Sequence, residues 1–451
     1  MTLLAKDDHA QQTLPLPSNL FIAAKMSTAS FEGPMHYDPT SEHEQEVPLP
    51  SAPRIPIAPN VLIQPPLTRR GYGPPLVLLL PNIPNPPPIG EATPTTEQID
   101  PEPVQKWAEE GFTILAIFAS KGDQDEWSML KALEEGLPRL GEWEDKGDLD
   151  VVKDKAAMIV YDHSILSTDF FTVTLPIQAL VIYGSDTLET VKTHKTIPTL
   201  IHVCTPSSRP TTLPIPSPHK SYSYVDQSDH HFSFPGGPGY NHHHADISHA
   251  RSLSWIKKRM DGPWFDLEAI WEEHTGHEFF TRSVAKTMGT MVAQPYVNHV
   301  PTITGGVGRR DLTAFYRDHF IFSNPRDTVQ TMVSRCVGLD RIAEEFTFSF
   351  THDQMVDWLL PGVPPTGKQI NIPMNAFVSI RGDRLYHEHI SWDQATAYRQ
   401  VGLLSSHVQF RNAEMSGQLR LPTSDGNDAA NMLMTVGAVQ SNQMMSWGLE
   451  G

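Results

Sequence analysis

The run Arg381-Gly-Asp-Arg-Leu-Tyr-His-Glu-His-Ile-Ser-Trp-Asp393 carries two histidines and a carboxylate at alternate positions. Gly382-Asp383 reads as a hairpin tip, and strict alternation begins after it. Extended backbone sends successive side chains to opposite faces, so Leu385, His387, His389, Ser391 and Asp393 share one face. Tyr386, Glu388, Ile390 and Trp392 share the other. Imidazoles beside a carboxylate can do proton chemistry where such a face lines a pocket. On a solvated outer face they would do none.

Other candidates sit on the elements that must surround that strand. His274 and Glu278, at i and i+4 of a long helix expected over 267–292, can share a proton or a metal, or hold the helix to the sheet. His299 lies on a strand-like segment, 296–301, ahead of a helix over 311–320. His352 and Asp357 flank a turn near Trp358. Trp271, Trp358 and Trp392 read as core. Strands are expected over 341–351, 368–381 and 384–392. Helices followed by consecutive strands predict an α+β domain with helices on one face of a curved antiparallel sheet.

The half before it alternates differently. Short apolar runs at 61–64, 76–80, 112–118, 157–161, 179–183 and 199–203 alternate with helical stretches at 104–111 and 125–136. The run at 76–80 is apolar throughout, as in a buried parallel strand. The pattern predicts an α/β layer closed by a helix over 250–259. Between them, His230, His231, His242, His243, His244 and His249, with Asp229 and Asp246, offer metal donors. Adjacent histidines in a Gly/Pro-rich loop need a tight bend to converge, so no metal site and no cofactor are expected.

Lys+Arg 34 against Asp+Glu 52 leaves a net charge of −18 over 451 residues. That argues against nucleic acid or an anionic membrane as partner, since both demand clustered positive charge. Cys204 and Cys336 are far apart in sequence and make no disulfide framework. The longest apolar run is too short to span a bilayer, and the first residues lack a signal-peptide core. The expectation is a soluble cytoplasmic protein acting on a small molecule. Residues 1–55 read as a disordered, proline-rich tail, 56–261 as the α/β domain, 262–410 as the α+β domain, and 411–451 as a mobile tail.

Gln105-Lys-Trp-Ala-Glu-Glu-Gly-Phe-Thr-Ile-Leu-Ala, Ile197-Pro-Thr-Leu-Ile-His-Val and Tyr222-Ser-Tyr-Val-Asp-Gln-Ser-Asp-His-His-Phe resemble the dienelactone hydrolase family. The resemblance implies an α/β-hydrolase fold with a Cys-His-Asp triad, the Cys in a Gly-x-Cys-x-Gly-Gly turn. His230 matches the family histidine. Asp162, in Val160-Tyr-Asp-His-Ser164, stands where the nucleophile belongs, and Cys204-Thr-Pro-Ser-Ser supplies no triad acid. A carboxylate cannot form the family's thioester, so the resemblance implies a degenerate hydrolase.

Phe315-Tyr-Arg-Asp-His-Phe320, Phe348-Ser-Phe-Thr-His352, Val356-Asp-Trp-Leu-Leu-Pro-Gly-Val-Pro-Pro-Thr-Gly-Lys368 and Trp392-Asp-Gln…Gln400-Val-Gly-Leu-Leu404 resemble SnoaL-like proteins of the ketosteroid-isomerase superfamily. The pairing of the two halves resembles a fungal group named carboxymethylenebutenolidase after its first half. The second resemblance implies a cone-shaped α+β barrel whose last strand carries an aspartate that removes a proton beside a carbonyl. Asp393 takes that role by position, with His389 or His299 as hydrogen-bond donor. His387, His352, Asp357, His274 and Glu278 are further pocket candidates. The expected function is isomerase, cyclase or dehydratase chemistry in the cone. An ester or lactone hydrolase and a non-catalytic scaffold are the alternatives, and the cone allows a homodimer.

Overall fold

The computed structural model describes residues 33–81, 99–119, 129–143, 156–166, 168–172, 174–185, 193–206, 217–227, 229–235, 237 and 239–450. The expectations for residues 1–32 lie outside these. Among the described residues no helix is long and apolar enough to cross a membrane, and Cys204 and Cys336 are both free thiols.

The first half is a layered sheet. A hairpin, β1 (Ile55–Ala58) and β2 (Val61–Gln64), turns at Asn60 with φ of 61°. Then follow β3 (Pro75–Pro81), α1 (Pro103–Glu109), β4 (Thr113–Ala119), α2 (Met129–Leu140), β5 (Ala156–Val160), β6 (Ile177–Ser185), β7 (Thr199–Cys204), β8 (Lys220–Tyr224) and α3 (His242–Met260). The sheet order is β1-β2-β4-β3-β5-β6-β7-β8. From β4 to β8 every neighbouring pair is parallel. β3, β5 and β7 are buried at every residue, because helices cover both faces. Trp107 of α1 and Leu253 and Ile256 of α3 close one face, and Leu133 and Leu140 of α2 the other. Glu102 caps α1 by accepting from Val104 N and Gln105 N, both at 3.0 Å, and Pro103 fits the first turn, where no amide hydrogen is needed. α3 begins earlier than the sequence suggests, at His242, because Asn241 caps it through His244 N.

The second half wraps a sheet around helices. The single helix expected over 267–292 is instead α4 (Leu267–Phe279), α5 (Val284–Gly289) and the start of β9 (Met291–His299). The break falls at two residues. Arg282 adopts a left-handed φ of 49°, and Ser283 caps a new helix through Lys286 N at 3.1 Å. Next come β10 (Thr304–Val307), α6 (Gly308–Phe315), one wide π turn at Tyr316–Phe320, β11 (Val329–Val337), β12 (Arg341–Thr351), β13 (Gln369–Arg381), β14 (Arg384–Trp392) and α7 (Gln394–Gln400). The order is β10-β9-β14-β13-β12-β11, antiparallel except where β14 meets β9. β13 alternates cleanly, with Ile370, Ile372, Met374, Ala376, Val378 and Ile380 turned onto the helices.

Both presumed tails are partly structured. Glu44 accepts from Val284 N and Ala285 N at 3.0 Å each, capping α5 from 240 residues away, and Ser283 Oγ donates to His43 O at 2.6 Å. At the other end β15 (His407–Arg411), β16 (Ser416–Arg420) and β17 (Leu449–Glu450) form a small sheet, and α8 (Asp428–Met434) packs on β13. Polar bonds such as Gln400 Nε2 to Gly426 O at 2.7 Å hold this segment. They leave no hydrophobic period in the sequence to read.

The hairpin tip is buried against the first half. Arg381 Nη1 meets Glu109 at 3.0 Å and its Nη2 meets Asp100 at 3.3 Å, while Lys106 reaches Asp100 at 2.7 Å. Arg69 N donates to Asp383 Oδ2 at 2.6 Å. Gly382 has φ of 59°, and a Cβ there would lie 2.0 Å from Glu109 O, so only glycine fits.

Candidate active site

A cavity of about 230 Å³ lies between α4, the π turn and the inner face of the sheet. Phe279, Phe320, Phe348 and Trp358 give it apolar walls, and three elements contribute its buried acid–phenol cluster. α4 supplies Glu278, with His274 behind it; the π turn supplies Tyr316; β14 supplies Glu388.

Asp266 caps α4 through Ala269 N at 3.0 Å. The helix then stacks Leu267, Ile270, Trp271, His274 and Glu278 on its buried side. His274 Nδ1 lies 2.6 Å from Thr290 Oγ1. That hydroxyl spends its own hydrogen on Thr287 O at 2.7 Å, so Nδ1 must donate to it. His274 Nε2 lies 3.1 Å from Glu278 Oε1 and donates there. With both nitrogens donating, His274 is an imidazolium. Burial alone would lower its pKa, but the charges of Glu278 and Glu388 outweigh that and hold it up at about 10. Burial, and then the nearby charge of Glu388, raises the carboxyl of Glu278 above its ordinary range. Burial, reinforced by both glutamates, likewise raises the Tyr316 hydroxyl well above its usual value.

Glu388 is 2 % exposed. His274 Nε2 is also 3.2 Å from Glu388 Oε1, but its one hydrogen points to Glu278. Among the described residues Glu388 Oε1 therefore has no hydrogen-bond donor. It is a buried carboxylate oxygen ion-paired with the His274 imidazolium, on a residue that lines the cavity.

The alternation read from the sequence loses its phase at one place. Ile380 pairs with Leu385 but Ser379 pairs with His387, so Tyr386 is an extra residue in β14. It leaves the ladder and its hydroxyl donates to Asp246 of α3 at 2.9 Å. Leu385 therefore faces inward, and so do Glu388, Ile390 and Trp392. His387 and His389 face outward. His387 packs against Tyr386, Tyr296 and His242, where burial and then Arg381 lower its pKa to about 3. His389 is exposed. Burial of part of its ring lowers its pKa as well.

Asp393 does not reach the cavity. Its carboxylate caps α7, accepting from Ala395 N at 3.1 Å, Thr396 N at 3.2 Å and the Thr396 hydroxyl. His299 is on the cavity wall, stacked on Phe320 and near Trp358. Its Nδ1 faces Thr304 O at 3.2 Å, which places the ring hydrogen on Nδ1, and burial lowers its pKa to about 4. A neutral ring with Nε2 bare accepts a hydrogen bond, so the donor role expected of His299 is reversed. His352 is buried outside the cavity and fastens the turn at Thr366 Oγ1, 3.1 Å away. Asp357 is a surface acid paired with His319 at 2.8 Å. Of the expected set, the structure brings together His274, Glu278 and His299, and adds Glu388 and Tyr316. Glu388 had one signal: an acid on the same parity as Ile390 and Trp392.

In the first half, Asp162 follows β5 and His230 follows β8, and the fold brings them together, Nε2 to Oδ1 at 3.0 Å. Asp162 Oδ1 also accepts from Ser164 N at 2.8 Å.

No family model matches the chain, and no curated protein matches it. Part of the chain is similar to solved structures of SnoaL-like and NTF2-like proteins. A protein described as a SnoaL-like polyketide cyclase from Jannaschia sp. CCS1 is 14 % identical over 31 % of this chain and 90 % of its own, with a TM-score of 0.25. TsrD from Streptomyces laurentii is 16 % identical over 31 % of this chain and all of its own, with a TM-score of 0.26. A protein with a ketosteroid isomerase-like fold from Catenulispora acidiphila DSM 44928, in complex with trimethylamine, is 11 % identical over 30 % and 93 %, with a TM-score of 0.24.

Proposed function

We propose that the second half is a SnoaL-like cone that binds a carbonyl-containing metabolite and moves a proton beside its carbonyl, as in isomerisation, aldol-type cyclisation or dehydration. Glu388 is the base. The observation that carries this reading is its Oε1: buried, on the cavity wall, and without a hydrogen-bond donor. The Tyr316 hydroxyl, on the same wall, stands ready to donate to the developing enolate oxygen. The His274 imidazolium lies behind both carboxylates and keeps a second negative charge tolerable in an apolar pocket. Apolar aromatic walls suit a compact, largely hydrocarbon substrate.

The first half is read as a dienelactone hydrolase-like α/β layer without its nucleophile. The contact of Asp162 with His230 at the ends of β5 and β8 supports the position-by-position resemblance. Hydrolysis through an acyl-enzyme is not part of this proposal, since the nucleophile position holds a carboxylate.

Solvent hydrogen exchange tests the cone without knowledge of the substrate. Enolisable ketones and β-keto esters are incubated in D₂O, and deuterium entering the α-carbon is followed by mass spectrometry. The wild type accelerates exchange of at least one panel member, and Glu388→Gln loses about 10²–10⁴-fold of that rate. Equal rates in the two proteins overturn the assignment of Glu388.

A further inference from the structure

We infer that Asp162, His230 and His231 form a binding site for a divalent transition ion of the zinc class, at the place where a hydrolase of this architecture would carry its nucleophile.

One ligand atom from each residue lies within 4.8 Å of the others. His230 Nε2 is 3.0 Å from Asp162 Oδ1, and His231 Nε2 is 3.5 Å from Asp162 Oδ2. Zinc bonds of about 2.0–2.1 Å in a tetrahedron put neighbouring ligand atoms roughly 3.4 Å apart. The cluster stands close to that spacing before any ion is placed in it. The two rings converge because His230 and His231 lie in one tight turn, His230–Ser233, whose cap is Asp229. The two rings are 4.1 Å apart and tilted by 37°.

The hydrogen positions make the case sharper. His231 Nδ1 is 2.8 Å from Asp229 Oδ1, so it carries the hydrogen and donates. In a neutral ring Nε2 is then a bare lone pair. That buried atom has no hydrogen-bond partner and faces a carboxylate oxygen. At 3.5 Å from Asp162 Oδ2 it stands within the span that one shared ion bridges. Asp229 behaves as the outer carboxylate that orients a metal-binding imidazole and raises its basicity. Gly239 approaches Asp229 so closely that a Cβ there would lie 2.6 Å from Asp229 Cβ, which fixes that carboxylate in place.

Two imidazole nitrogens and one carboxylate make the three-protein-ligand set of zinc sites that keep a fourth position for water. The three side chains are 14–19 % exposed, so the open position faces solvent.

Calorimetric titration of the full chain with Zn²⁺ alone, near neutral pH, tests this. The expected result is one high-affinity zinc per chain, weakened about 10–100-fold in Asp162→Asn and in His231→Ala. Asp229→Asn, which touches no ligand atom in the ion's inner sphere, should weaken it by a similar factor. That variant keeps the test decisive if a direct ligand variant does not fold, as judged by circular dichroism. His243→Ala, in the exposed part of the same histidine-rich segment, should bind as wild type. The inference is overturned if the wild type takes up no zinc. It is also overturned if binding is lost in His243→Ala, or is equal in wild type, His231→Ala and Asp229→Asn.

Discussion

Arg381 Nη1 stands 3.0 Å from Glu109 Oε2, with the two side chains 3 % and 10 % exposed. Arg381 belongs to the tip of the β13–β14 hairpin and Glu109 to α1, so one buried ion pair joins the two halves of the chain. Breaking such a pair strands its partner, and here Glu109 would lose its cation while Asp100 kept only Lys106. Arg381→Ala should destabilise the protein by about 3–5 kcal/mol in urea denaturation. A loss under about 1 kcal/mol would mean that the pair is solvated in solution.

Gly382→Ala attacks the same junction by shape rather than charge. Its left-handed φ and the 2.0 Å approach to Glu109 O leave no space for a methyl group. Limited proteolysis should then cut between the halves, while circular dichroism of each sheet persists. An unchanged digestion pattern would contradict this packing.

The His274 cluster makes stability depend on pH. The folded pKa of His274 lies near 10, above its ordinary 6.5. The imidazolium therefore contributes stability that is fully present below about pH 6.5 and lost as pH rises toward 10. Glu278, also raised, acts in the same direction. The melting temperature should fall across that window, and His274→Gln should flatten the slope. A wild-type profile that is level from pH 6.5 to 10 would refute the charged imidazole.

Asp393 and Glu388 separate the two sides of one strand. Asp393→Ala removes a helix cap and should cost about 1 kcal/mol in thermal denaturation, with exchange chemistry in the cavity retained. Glu388→Gln should show the reverse, folding normally and losing the chemistry. The opposite pattern would return the base to Asp393.

Much of the architecture could be read from residue patterns. The apolar run at 76–80 sits in the wholly buried β3, and the expected strands 341–351, 368–381 and 384–392 recur as β12, β13 and β14. The site was less legible. Tyr386 gives no local sign that it will leave the ladder, because its reason for doing so, Asp246, is 140 residues away. The inserted residue puts Leu385 on the inner face with Glu388, Ile390 and Trp392, so the face expected to join Leu385 to His387 and His389 does not exist. Likewise, 267–292 keeps a helical period across Arg282. Its side chain is held by distant partners, Ile321 O at 2.6 Å and Asn324 O at 3.1 Å, which periodicity does not report. The contacts that decide function here are long-range and polar, and periodicity reports apolar, local ones.

The cavity also borders one edge of the sheet. There β11 is an edge strand, with Met332 half exposed and Thr331 on the cavity wall. Arg335 of β11 reaches across to Glu268 at 2.8 Å and Glu272 at 3.1 Å on α4. A guest entering between α4 and β11 must part these ties, which lie near solvent and weaken with ionic strength. Added salt should therefore speed the capture of a neutral ligand, making Arg335 a gate whose stiffness the surrounding electrolyte sets.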